Sequence, residues 1–421
     1  MRFHAVCAAL TATAAAAALT GCGQLTGADG GTRKVTLWLM KGSASDDFIR
    51  KFTASFEKEH PGIDLQVEIQ EWTGIGAKVN AVLNGSSKES ADVIEVGNTQ
   101  VAQYIETGGL SEVTLEGLRA WGSKDWLKGL ADPGSVNGAQ YGVPWYAANR
   151  VVIYHKDLFA AAGVKEPPKT RADWIAATQK LDKGDQQGIY LAGQNWYVLA
   201  GFVWDEGGDL AVETGGQWLG TLDTEPAQAG MEFYKKLQAL GDGPKGADEE
   251  TPPQAEVFAR GQVAQIIAPP GQAAQIEQLN PALKGKLGFF PIPGKTADKY
   301  GSVLTGGSDL IIPNRTRDRA AAVDVITALV SEKWQTELAR TMSYVPNKTT
   351  LAHVVQGNEG ASAMALGAAQ GRATPKSARW AEVESKNPIK PYMTAALTGQ
   401  DPQAAARTAS QAISKVLSSD R

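Results

Sequence analysis

Residues 34 to 108 read as strand, helix, strand, helix, strand, helix, and that alternation constrains the fold more tightly than any other feature of the chain. "KVTLWLM" (Lys34 to Met40) is apolar on both faces, as a strand buried inside a parallel sheet is. In the following "SASDDFIRKFTASFEKEHPG", Phe48, Ile49, Phe52 and Phe56 recur at helical spacing, with Ser45 as N-cap and Pro61-Gly62 as the stop. "IDLQVEIQ" then alternates, with Ile63, Leu65, Val67 and Ile69 on one face. A second helix carries Ile75, Val79, Val82 and Leu83 on one side, "ADVIEVG" is a third strand, and "TQVAQYIETGG" is a helix ending at Gly108. This order predicts a parallel α/β sheet with right-handed crossovers. Ligands on such sheets sit beyond the carboxyl ends of strands. Those ends are Lys41 to Ser43, Glu71-Trp72, and Gly97 to Gln100.

A second α/β region follows "YGVPWYAANRVVIYHKDLF". It holds a strand around Val151 to Tyr154 and a helix capped at Thr170, with Asp173 three residues on as capping-box partner. "GIYLAG" reads as a strand, a helix starts near Pro226, and the strand "QVAQIIA" ends at "PPGQ". "LGFFPIP" and "GSVLTGGSDLIIPN" read as further strands, and Ala-rich helices run to the C-terminus.

The chain opens "MRFHAVCAALTATAAAAALTGCGQLTGADGGTRK". Arg2 and the uncharged apolar run Ala5 to Leu19 have the form of a signal peptide, and the run falls short of the about 20 residues that span a bilayer. Leu19-Thr20-Gly21-Cys22 resembles the lipobox of bacterial lipoproteins, in which the thiol is diacylated and becomes the first mature residue; a plain secretory cut near the same place is the alternative. Residues 22–33 read as a flexible Gly-rich tether. Cys7 and Cys22 are the only cysteines, so the body is expected to carry neither a disulfide nor a thiolate metal site. About 400 residues remain after Cys22, which makes two domains the prior. The formal charge of −4, with no Lys/Arg run, argues against a nucleic-acid partner.

Catalytic motifs are missing. Histidine is confined to His4, His60, His155 and His353, and there is no HExxH, no G-x-S-x-G elbow and no Gly-rich loop with a phosphate lysine. A glycosidase needs only two facing carboxylates, so a surface-anchored glycoside hydrolase or lyase stays open as the alternative. Asp205 and Glu206, adjacent in sequence, make a poor pair. Aromatics are the positive signal. Eleven tryptophans include Trp38, Trp72, Trp145, Trp196 and Trp204. Trp38, inside a strand, reads as core, and Trp204 reads equally as core or as ligand contact. Trp72, Trp145 and Trp196, at strand ends or in polar loops, fit stacking on the apolar face of a sugar ring, with Asn, Gln, Asp and backbone groups binding its hydroxyl rim. "QNWY" (Gln194 to Tyr197) is the expected platform and "VWDEGG" its supporting helix.

In order, "VTLWLM", "FTASFEKEHPGIDLQV", "DVIEVGNTQVAQYIETGGL", "YGVPWYAANRVVIYHKDLF", "FARGQVAQIIAPPG" and "TGGSDLIIP" resemble the extracellular solute-binding lipoproteins of carbohydrate ABC importers over almost the whole mature chain. "EWTGI", "EVGNTQ", "GQNWY", "EGGDL" and "NPIKPYMTA" are similar to streptomycete members of that family that bind chitobiose. In "APPGQAAQ", Gln272 stands where many relatives place an aromatic. The resemblance implies a two-lobe periplasmic-binding-protein-like α/β fold, each lobe a mainly parallel sheet flanked by helices. The lobes would be 34–142 plus 300–345 and 143–299 plus 346–421. Crossings are expected near Gly142 to Pro144, Lys299 to Gly301, and Tyr344 to Pro346. By the same resemblance, Lys41, Gly42, Trp72, Asn98 and Thr99 come from the first lobe. Trp145, Tyr146, Arg150, Asn195, Trp196 and Gln272 come from the second, and Gly307 and Ser308 line the hinge side. For Arg150 an ion pair between lobes or at the surface is the open alternative. Implied further are hinge closure on a sugar, ABC permease subunits as partners, a monomer on the extracellular face of the cell membrane, and no cofactor or metal. A different sugar or a non-sugar solute such as a peptide remains open.

Overall fold

A computed structural model describes residues 32–72 and 74–418. The signal segment, Cys22 and most of the tether lie outside the described residues. The first lobe begins with β1 (Arg33–Met40), α1 (Asp46–Glu59), β2 (Ile63–Gln70), α2 (Ile75–Asn84) and β3 (Val93–Gly97). β1 pairs in parallel with β2 along its whole length and with β3 on its other edge. Because side chains alternate along a strand, β1 sends Val35, Leu37 and Leu39 into one core and Trp38 and Met40 into another. Both faces are covered, which is why the run carries no polar stripe. Ser45 caps α1 by accepting from the Phe48 amide at 3.2 Å. Phe48 and Phe52 meet Trp334 edge to face, at 5.5 and 5.0 Å between ring centres.

The remaining strands of the two main sheets are β4 (Val143–Ala148), β5 (Val151–His155), β6 (Gln265–Ala268), β7 (Leu287–Phe290), β8 (Gly306–Ile311) and β9 (Val345–Pro346). The first sheet has the order β9-β4-β8-β3-β1-β2, and the second the order β6-β5-β7. The α/β two-lobe plan agrees with the sequence reading, but the sheets are mixed rather than mainly parallel. β8 runs antiparallel to both β3 and β4, and β6 and β7 run antiparallel to β5. Apolar runs cannot reveal direction here, because an antiparallel strand covered on both faces is as apolar as a parallel one. "GIYLAG" is not a full strand either. Its Tyr190 makes an isolated parallel bridge to Ile266 of the second sheet, and Gln187, just before it, makes another to Val263.

The crossings also shift. Val143–Ala148 belongs to the first sheet and Val151–His155 to the second, so the chain crosses at Asn149-Arg150 rather than near Gly142 to Pro144. It returns at Thr305, between Val303-Leu304, packed in the second-lobe core, and β8. β9 still pairs with β4, so the last crossing lies beyond Pro346. The second-lobe core gathers around the helix α3 (Trp196–Asp205), whose residues Trp196, Leu199, Phe202 and Val203 are buried. Thr170 caps its helix as read, its Oγ1 accepting from the Asp173 amide, but the Asp173 carboxylate takes the Thr170 hydroxyl rather than the backbone N–H that would close a capping box.

Candidate functional site

Between the lobes lies a cavity of about 290 Å³. Trp72, Gly97, Asn98, Thr99, Tyr146, Gly307 and Ser308 line it from the first lobe, Tyr197 and Glu384 from the second, and Leu304, Gly306 and Tyr344 near the crossings. A second cavity of about 330 Å³ shares Ala148 and Tyr344 with it and extends to Pro269, Pro270, Gly271, Gln272 and Met364. Together they form one groove along the interlobe cleft.

Three aromatic rings with unlike settings face this groove. Trp72 is 44% exposed and anchored through its indole N–H, which donates to the Lys41 carbonyl at 3.1 Å. Tyr344 stacks on Tyr146 with ring centres 4.0 Å apart and planes 5° from parallel. Tyr197, half-buried, has the Arg150 guanidinium 4.1 Å from its ring centre. The polar part is fixed as firmly. Asn98 is buried, and its amide nitrogen donates to the carbonyls of Gly129 and Thr305 at 3.1 and 3.0 Å. Thr99 donates to Glu384 at 3.2 Å across the cleft, and Trp380 Nε1 donates to the same carboxyl at 3.1 Å. Burial raises the Glu384 carboxyl to about 7, against the lowering effect of those two donors. The cleft thus offers ring faces beside fixed donors and acceptors, the combination that binds a ring with an apolar face and a polar rim.

The structure brings together Trp72, Asn98, Thr99, Tyr146, Gly307 and Ser308 in one cavity and places Gln272 in the adjoining one. Gln272 opens the helix Gln272–Leu279 and accepts from the Gln254 amide at 3.2 Å. Other expected residues sit elsewhere. Trp145, left over where the pairing of β4 with β8 shifts register, is fully buried in the first-lobe core, while Tyr146, in the same core, also lines the cavity. Trp196 is 2% exposed, packed among second-lobe residues with its ring 6.4 Å from that of Trp380. Asn195 is fully buried as the N-cap of α3, its side chain accepting from the Val198 amide. Arg150 pairs with Glu249 at 2.6 Å in a largely buried ion pair, neither at the surface nor between the expected lobes, and borders a space of about 10 Å³ behind Tyr197, room for about one water. Lys41 is exposed and paired with Glu71, and Gly42 contributes a carbonyl to the Tyr344 hydroxyl at 3.3 Å. Trp38 and Trp204 are core. Asp205 and Glu206 both hold Arg171, so they support the second lobe rather than face the cleft.

Sequence reasoning passed over Tyr197, Tyr344 and Glu384. Tyr197 stood inside the quoted platform, one residue from the tryptophan chosen. Tyr344 lay at an expected crossing. Glu384, on the helix Trp380–Lys386, had no local signal.

A groove between two α/β lobes, with the chain passing from one to the other three times, is the architecture of a two-lobe binding protein. Residues 41–336 match the family described as bacterial extracellular solute-binding protein, and the chain belongs to it. It is 39% identical over 388 residues to the diacetylchitobiose binding protein DasA of Streptomyces coelicolor, covering 91% of this chain and 90% of that one. It is 26% identical over 371 residues to a maltooligosaccharide ABC transporter solute-binding lipoprotein of Streptococcus pneumoniae, covering 82% and 81%. In fold it is similar to the sugar-binding protein MalE of Xanthomonas citri, with a TM-score of 0.80 at 22% identity over 91% of this chain and 97% of that one. It is also similar to the GacH receptor of Streptomyces glaucescens, with a TM-score of 0.74 at 23% identity over 93% and 100%. Among the described residues no helix is long and apolar enough to cross a membrane.

Proposed function

We propose that this chain is the sugar-binding receptor of an ABC importer, that N,N′-diacetylchitobiose and related N-acetylglucosamine oligomers are its ligands, and that it works without catalysing a reaction. The observation that carries the reading is the interlobe cavity itself, where Trp72, Tyr197 and Tyr344 stand beside Asn98, Thr99 and Glu384 from opposite lobes. The 39% identity to a diacetylchitobiose binding protein over nearly the whole chain supports the choice of sugar. A ligand touching both walls stabilises the closed arrangement by its differential affinity for it. The closed monomer then docks on permease subunits, tethered to the extracellular face of the membrane by a lipid on Cys22.

A thermal-shift screen across N-acetylglucosamine, diacetylchitobiose, cellobiose, maltose, trehalose and galactose tests the reading, since a ligand selective for the folded state raises its melting temperature. Diacetylchitobiose is expected to give the largest rise and to be recovered uncleaved. A larger rise with maltose, or cleavage of the sugar, contradicts it. Small-angle scattering at saturation is expected to show a smaller radius of gyration than for the free protein. Cys22→Ser is expected to release the protein from the membrane fraction or to leave the precursor uncleaved.

A further inference from the structure

Beneath the cleft floor lies a carboxyl that the cleft itself does not expose. Glu95, on β3, is fully buried. Its Oε2 accepts from the Met40 amide at 2.7 Å, and its Oε1 accepts from Ser308 Oγ at 2.6 Å and from the Tyr146 hydroxyl at 3.1 Å. Ser43 Oγ, 3.1 Å from the Tyr146 hydroxyl, completes the cluster and bonds to the carboxyl as well. The donors come from the end of β1 and from within β4 and β8, so one side chain pins three segments to β3 beside the groove. Tyr146 and Ser308 line that groove, and the Tyr146 ring carries Tyr344, which belongs to both cavities.

We propose that Glu95 is a positioning residue for ligand binding: through the hydroxyls of Tyr146 and Ser308 it holds the Tyr146–Tyr344 stack in its binding-competent place, and it does so as the carboxylate. This rests on the reading of the groove as the sugar site. A carboxylate can accept from all its donors at once, through charge-assisted hydrogen bonds roughly twice as strong as neutral ones. Once protonated, it must donate to one of the hydroxyl oxygens it now accepts from, and that hydroxyl turns its own hydrogen away. The clamp on Tyr146 weakens. Among the described residues no cation pairs with it. The ionisable groups acting on Glu95 are Tyr146 and Tyr344, both held in their neutral form by burial. Lys41, next to Met40, turns outward to Glu71, and Asp309, next to Ser308, is buried with neither carboxyl oxygen hydrogen-bonded. Burial therefore pushes the Glu95 carboxyl up to about 7 despite its donors, so its charge changes in the neutral range.

The test reads the tyrosine stack and the affinity separately. Near-ultraviolet circular dichroism of the unliganded protein, followed from about pH 8.5 to about pH 5.5, is expected to show a step near pH 7 that Glu95→Gln abolishes. Glu384→Gln, which removes the other carboxyl titrating there, should keep the step. In the Glu384→Gln background, affinity for diacetylchitobiose by calorimetry is expected to fall on the order of threefold to tenfold toward acid. Adding Glu95→Gln should make the affinity pH-independent at the weaker value. A wild-type spectrum without the step overturns the proposal, as does a step or pH-dependent affinity that survives Glu95→Gln. If diacetylchitobiose binds the wild-type protein at no pH, the choice of sugar fails, and the spectral step alone decides the role of Glu95.

Discussion

Each lobe contains a Trp-Tyr dipeptide at the cleft, and the two lobes resolve it the same way by different means. In the first lobe Trp145-Tyr146 lies on a strand whose pairing with β8 shifts register, so that Tyr146 faces Ser308 and Pro144 faces Asp309, with Trp145 left over between them. Both rings are buried in the first-lobe core, and of the two it is Tyr146 that also lines the groove. In the second lobe Trp196-Tyr197 opens a helix capped by Asn195. Adjacent helical residues diverge by about 100°, so Trp196 joins the core while Tyr197 faces the groove. In both, the tryptophan packs away from the groove and the ring with a hydroxyl lines its wall, Tyr146 nearly buried and Tyr197 half-buried. Trp72 is the exception. It is exposed because it stands in the turn after β2, where no second layer covers it.

The sharpest break of this comparison is Trp196→Ala. A cavity at a fully packed indole is expected to cost about 3–5 kcal/mol of stability, read as a drop in the melting temperature of the unliganded protein. A drop no larger than that from Trp72→Ala removes the distinction between the two tryptophans.

The buried carboxyls sharpen the comparison next. Glu95 has a carboxyl near 7 in the folded protein against 4.5 as its ordinary value. A raised acid binds its proton more tightly when folded, so its contribution to stability is complete below about pH 4.5 and lost as pH rises to about 7. The shift corresponds to about 3 kcal/mol, at about 1.4 kcal/mol per unit. Chemical denaturation at a series of pH values should show this decline in the wild type and less of it in Glu95→Gln. An unchanged decline in the variant contradicts full burial of the ionised group.

Trp72→Ala is expected to act on the ligand rather than the fold. Loss of one stacking face should weaken sugar binding by about 1.5–3 kcal/mol, roughly 10- to 150-fold, with little change in the apo melting temperature. Lys41→Ala should do least. Its pair with Glu71 is exposed on both sides, so stability should stay within about 0.5 kcal/mol and sugar affinity nearly constant.

What could be read from sequence was periodic and local. The βαβ order to residue 108, the Ser45 and Thr170 caps and the burial of Trp38 follow from spacing alone. The direction of β8 and the crossing at Asn149-Arg150 do not, since "YGVPWYAANRVVIYH" is apolar on both sides of the break. Nor does that run mark the register shift at Trp145, beside which Tyr146 lines the groove. The choice at Trp196 turned on whether Asn195 begins a helix or ends a loop. Glu384 meets Thr99 across 285 residues of sequence, a contact made only by tertiary packing. Glu95 did leave a trace, a lone carboxylate inside the apolar strand "VIEVG".

The central claim is that the tyrosine of each pair, not the tryptophan, meets the sugar between the lobes. Calorimetric titration of diacetylchitobiose into Tyr197→Ala and Trp196→Ala, both kept cold enough to remain folded, tests it most directly. Expected is a loss of affinity of about tenfold or more for Tyr197→Ala and near wild-type affinity for folded Trp196→Ala. The reverse, with full affinity in Tyr197→Ala and binding lost in Trp196→Ala, would contradict the assignment of the groove's walls.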